Sequence, residues 1–214
     1  MPFTHDQFLD VFVRYNAALW PAAVGLWLAS AATFAWLLRS GRAASRPVAA
    51  LLALHWAWSG IAYHAAFFTR INPAAWLFAA MFLVEAVCLA WFGVWRRRLR
   101  FSVTRGLRYS VGVVFIVYGL AYPAIALASG QIFPRAPTFG VPCPTTLLTA
   151  GVLLTADTPF PRLVLVVPIL WALVGGSAAS LLHVPADWAL VAAALALVVR
   201  LLERQKTTPE PAQV

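Results

Sequence analysis

Residues 74–100 read AAWLFAAMFLVEAVCLAWFGVWRRRLR, an apolar run carrying a single acid, Glu85, and closed by Arg96, Arg97, Arg98 and Arg100. A bilayer core takes roughly 20 apolar residues per helical span. The run has that length, and an arginine cluster at its end is how a span stops at a membrane surface.

Outward from this stretch the pattern repeats. Further apolar segments cover 17–38, 47–69, 107–129, 144–156, 163–182 and 186–202. The whole chain is 62% apolar and 11% charged, which excludes an ordinary soluble domain because so few charges cannot cover a water-exposed surface. The expected fold is all-α: a polytopic transmembrane bundle of about seven spans, one domain over 1–206, with the lipid bilayer as its surroundings. Residues 1–16 are expected as an interfacial helix, with Thr4 and Gln7 at capping-box spacing and Phe8, Leu9, Val11 and Phe12 among polar residues. No basic leader with a small-residue cleavage site opens the chain, so the segment is kept as part of the mature protein. Residues 207–214, polar with two prolines, are expected to be a disordered tail.

The net charge of +9 does not imply nucleic acid, because the cations fall between the apolar runs. With seven crossings, Arg39, Arg42, Arg46, Arg96, Arg97, Arg98, Arg100, Arg105, Arg108, Arg162, Arg200, Arg204 and Lys206 share one side. Only Arg14, Arg70 and Arg135 share the other. By the positive-inside rule the amino terminus lies outside and the carboxy terminus in the cytoplasm. The fifth segment is short and follows Pro134, Pro137, Gly140, Pro142 and Pro144, so it is expected to be a short or broken helix. A re-entrant fifth segment with six crossings is the alternative, and it weakens the charge bias. The cluster Arg96, Arg97, Arg98 and Arg100 suits contact with anionic lipid headgroups.

Ionisable groups inside a bilayer are expensive and mark candidate sites. Glu85 and His55 are expected at similar depth, as a proton-handling or ion-binding pair or as a simple helix lock. The segment Gly140-Val141-Pro142-Cys143-Pro144-Thr145-Thr146 reads as a helix start at membrane depth. Pro144 stands at its first position and Cys143 at its cap, aiming free N–H groups at whatever precedes it. Cys143, Thr145 and Thr146 are therefore candidate ligand contacts, with Tyr118 and Tyr122 as cavity walls. His64, His183 and Cys143 reach the same outer side and form a candidate metal or haem set, although no close His or Cys pair accompanies them.

The blocks Tyr15 to Pro21, His55 to His64, Asn72 to Phe78 and Pro142 to Thr146 resemble a family of bacterial multi-pass membrane proteins, domain of unknown function 6064. The resemblance covers nearly the whole chain. It implies the bacterial cytoplasmic (inner) membrane and supplies neither activity nor cofactor. The only lysine, Lys206, lies in the tail, which excludes a Schiff-base retinal protein, and no phosphate-binding loop or nucleophile elbow occurs. The readings that remain are a small-solute permease or ligand-binding membrane protein, a structural or accessory subunit, and a membrane metal or haem enzyme. The non-enzymatic readings come first.

Overall fold

The computed structural model describes residues 2–182 and 184–203, and among them the chain is all-helical, without a strand. Helix α1 covers His5–Ser40, and α2 covers Ser45–Trp58 and continues through a π-helical turn, Ser59–Ala65. Helix α3, Ala75–Leu89, ends in a second π-helical turn, Ala90–Trp95. Then come α4, Leu107–Ala128, the short α5, Pro142–Leu154, α6, Val166–Leu181, and α7, Trp188–Leu202. Five helical stretches are long and apolar enough to cross a membrane, the first of them containing both α1 and α2.

The expected break between an interfacial helix and a first span does not occur. The Thr4–Gln7 capping box is formed, and from it one helix runs 36 residues past Pro21. At 1.5 Å per residue this is about 54 Å, longer than the roughly 30 Å of a hydrocarbon core. The extra turns are held by packing: Phe12 stacks on Tyr63 at 5.9 Å, and Phe8 meets Phe68 edge-on at 6.3 Å. The tail expected to be disordered, Arg204 and Lys206, and His183 lie outside the described residues.

Helices α1 and α2, and likewise α4 and α5, run antiparallel, as their contacts show. Along α1 and α2, Ser30 meets His55 while Tyr15 meets Trp58. Along α4 and α5, Gly112 faces Gly151 while Gly119 faces Leu148. A Cβ on Gly151 would lie 2.5 Å from the Gly112 carbonyl, so both glycines are needed for the two backbones to approach. The bundle therefore has two ends: one gathers the start of α1, the end of α2 and the starts of α5 and α7; the other gathers the arginine-rich connections.

Helix α5 is buried on all sides, with every residue from Pro144 to Leu154 in the interior. That position explains its length. A helix enclosed by others need not match the bilayer thickness, provided the irregular backbone beside it finds hydrogen bonds. It does. Asn16 Nδ2 donates to the carbonyls of Pro134 (2.7 Å) and Ala136 (2.9 Å), Tyr15 donates to Phe139 O (2.9 Å) and Ser59 to Gly140 O (2.8 Å). Beyond its carboxy end, Ala156 forms a backbone bridge with Phe101, and Arg200 donates to Ala156 O at 2.6 Å. Helix α5 with its flanks thus joins one end of the bundle to the other. The outer faces are apolar and exposed, Leu77, Val87, Val114 and Leu195 among them, which suits lipid contact.

Candidate functional site

The segment before α5 sets the site. Gly140 adopts φ +81°, and a Cβ there would fall 2.7 Å from both Tyr15 Oη and Trp58 Nε1. Trp58 donates to Tyr15 Oη at 2.8 Å, and Thr138 donates to Asn16 Oδ1 at 2.5 Å. Residues of α1 and α2 therefore fix this extended chain and with it the start of α5. The helix starts two residues earlier than the sequence suggests: Val141 is the cap, Pro142 stands in the first turn, and Cys143 lies inside the helix. Pro142 fits there because a first-turn residue needs no N–H partner.

In front of this helix start lies a cavity of about 210 Å³, whose walls include His64, Phe78, Tyr122, Cys143, Trp171 and Asp187. Tyr122 donates a hydrogen bond to Asp187 Oδ1, and the half-buried Cys143 thiol sits beside both groups. His64 is completely buried, packed edge-on against Phe82 (4.7 Å) and Trp171 (4.9 Å). Neither of its ring nitrogens has a hydrogen-bond partner in the structure, and neither does the indole N–H of Trp171. A buried polar atom left unpaired costs roughly 1–3 kcal/mol, so three on one cavity need a reason.

The structure brings together only some of the residues singled out in the sequence. Cys143, Tyr122 and His64 share the cavity. Tyr118 donates to Ala186 O at 3.0 Å and clamps the start of α7. Thr145 is 3.2 Å from Ser59 Oγ, and Thr146 donates to Pro142 O within its own helix, so both are used by the scaffold. His55 and Glu85 are not hydrogen-bonded to each other: His55 Nε2 is 2.8 Å from Ser30 Oγ, whereas both carboxylate oxygens of Glu85 are buried and unpaired. Among the described residues no group of three His, Cys, Asp or Glu side chains could hold a metal; His183 is outside that set. Trp171 was not legible as a site residue, since a tryptophan in an apolar span carries the signature of packing.

The opposite end carries a groove of about 650 Å³ lined by Arg42, Arg96, Arg97, Arg98 and Arg100 on one side and 157–161 on the other. Arg42 Nε is 2.7 Å from Asp157 Oδ2. Deeper in, Arg200 is buried, pairs with Glu203 and lies over the Phe160 ring at 4.7 Å.

A family model described as a family of unknown function (DUF6064) matches residues 5–210. No curated protein and no solved structure matches the chain.

Proposed function

The chain belongs to the family of unknown function DUF6064, and from that premise we propose that it is a multi-pass protein of the bacterial inner membrane that binds a small neutral solute. Seven crossings with the amino terminus outside agree with the thirteen-to-three division of cations and with the antiparallel helix order. The solute occupies the cavity before α5, on the outer side, as in a small permease or a membrane receptor for a ligand.

One observation carries this reading: the buried, unpaired nitrogens of His64 and Trp171, two residues that line a cavity whose other walls are mostly apolar. A neutral imidazole offers one donor and one acceptor, and an indole one donor. The fitting solute has an acceptor for one or both N–H groups and a flat or apolar body. A cavity of about 150 Å³ accommodates benzene, and drug-sized ligands need about 300 Å³ or more, so the solute is a small ring or carbonyl compound. Cys143 and the Tyr122–Asp187 pair form the polar wall facing it. Glu85, buried with both oxygens unpaired, is the residue assigned to coupling.

Thermal unfolding of the purified chain in the presence of a panel of neutral heteroaromatic and carbonyl solutes tests the reading. A solute at 100 times its Kd adds about 2.7 kcal/mol of stability. The expected result is such a shift in the wild type and its loss in His64→Phe. No shift from any solute, or equal shifts in wild type and variant, would favour an accessory role in which these residues serve packing.

A further inference from the structure

The arginine-lined groove at the other end is built, not merely charged. Residues 96–102 are held by backbone and side-chain hydrogen bonds from four directions: Arg98 N to Phe92 O (2.7 Å), Phe101 N to Ser45 Oγ (2.9 Å), Ser102 N to Thr155 O (3.2 Å) and Asp157 N to Arg100 O (2.8 Å). Leu99 and Phe101 point into the core, so Arg98 and Arg100 alternate outward with them. Arg97 sits at φ +53°, a conformation uncommon for a residue with a side chain. Among the described residues the only carboxylate on the groove wall is Asp157, and it is engaged by Arg42. No side chain among the described residues forms a salt bridge or hydrogen bond with Arg96, Arg97, Arg98 or Arg100.

We propose that this groove is a binding site for a phosphate ester bearing two negative charges, held by the arginines of residues 96–100 together with Arg42. Guanidinium groups bind phosphate oxygens in pairs, and a fixed loop spares them most of the ordering cost. Its place beside exposed tryptophans favours a lipid headgroup as the source. Trp91 and Trp95 stack at 6.1 Å, are exposed, and immediately precede Arg96, which suits the interfacial layer where headgroup phosphates lie. A soluble phosphate compound has the same chemistry. The site shares the membrane setting of the reading above but not its cavity, so His64→Phe leaves phosphate binding intact.

Native mass spectrometry of the full chain in mild detergent, offered phosphatidic acid or phosphatidylcholine at equal concentration, tests the site. Calorimetric titration of inorganic pyrophosphate runs in parallel. Phosphatidic acid is expected to be retained at one per chain and phosphatidylcholine not. Each interfacial arginine contributes around 1 kcal/mol, so Arg97→Gln/Arg98→Gln/Arg100→Gln lowers retention by about tenfold or more. Arg39→Gln/Arg46→Gln/Arg105→Gln removes the same charge outside the groove and leaves retention unchanged. Asp157→Asn frees Arg42 and raises retention, a gain that misfolding cannot imitate. Lipid retention displaced by pyrophosphate identifies the headgroup as the source; pyrophosphate binding without lipid retention identifies a soluble one. Binding of neither, equal losses in the two triple variants, or a loss in Asp157→Asn overturns the proposal.

Discussion

The two ends of the bundle solve the problem of polar groups in opposite ways. At the end where α5 starts, the polar atoms of His64 and Trp171 are neutral, buried and unpaired, surrounded by rings. At the other end Arg96, Arg97, Arg98 and Arg100 are charged but exposed, and Arg200, the one buried arginine among the described residues, bonds Ala156 O and Glu203 and lies over Phe160, with only its Nε unpaired. A charge can wait in water for a partner, whereas a buried unpaired dipole raises the energy of the empty protein throughout. The arginine end can therefore recruit an anion without reshaping the fold. On the proposed reading, the aromatic end gains stability when a solute enters it.

Both ends depend on α5, which offers the sharpest way to break the comparison. A Cβ at Gly151 would lie 2.5 Å from Gly112 O and 2.7 Å from an Ile116 side-chain carbon. Gly151→Val is expected to cost more than the roughly 1–3 kcal/mol of ordinary core overpacking, because backbone as well as side chain must move. The check is yield of monodisperse protein together with thermal unfolding. A monodisperse variant with unchanged Tm would show that the two ends do not share a rigid spine.

A smaller effect sharpens the arginine end alone. Arg200 is buried and bonds Ala156 O and Glu203, so Arg200→Ala takes the donor from the Ala156 carbonyl, while Glu203 keeps Arg108, and is expected to cost about 3 kcal/mol. Arg42 is largely exposed although its contact with Asp157 is short, so Arg42→Ala is expected to cost less than about 1 kcal/mol. Equal Tm changes in the two variants would contradict a division between a structural and a recruiting arginine.

The helical character, the capping box at Thr4 and the irregular approach to α5 were legible because each rests on local rules: apolar length, cap spacing and proline position. Cys143, Tyr122 and His64, expected on one side of the bundle, line one cavity. What stayed hidden is set by packing between distant segments. A helix that faces lipid and a helix enclosed by others are both apolar all round, so the burial of α5 leaves no mark in its composition. The division expected between residues 16 and 17 fails for a related reason, since packing of Phe8 and Phe12 against the end of α2 lets α1 continue. Trp171 joins the cavity only through the way α6 packs beside the start of α5.

The smallest expected effect concerns Glu85, which belongs to neither end. Its carboxyl group has no hydrogen-bond partner in the structure, so an isosteric amide has nothing to break. Glu85→Gln is therefore expected to stay within about 1 kcal/mol of wild type in thermal unfolding, unlike a residue bonded into the scaffold. His55, bonded to Ser30, provides the contrast: His55→Leu removes a buried hydrogen bond, leaving the Ser30 hydroxyl only its bond to Leu26 O, and is expected to cost about 1–2 kcal/mol. If Glu85→Gln keeps its Tm but loses solute-dependent behaviour, the carboxyl acts in coupling between the two ends. If it lowers Tm as much as His55→Leu, Glu85 is part of the packing and the coupling role falls.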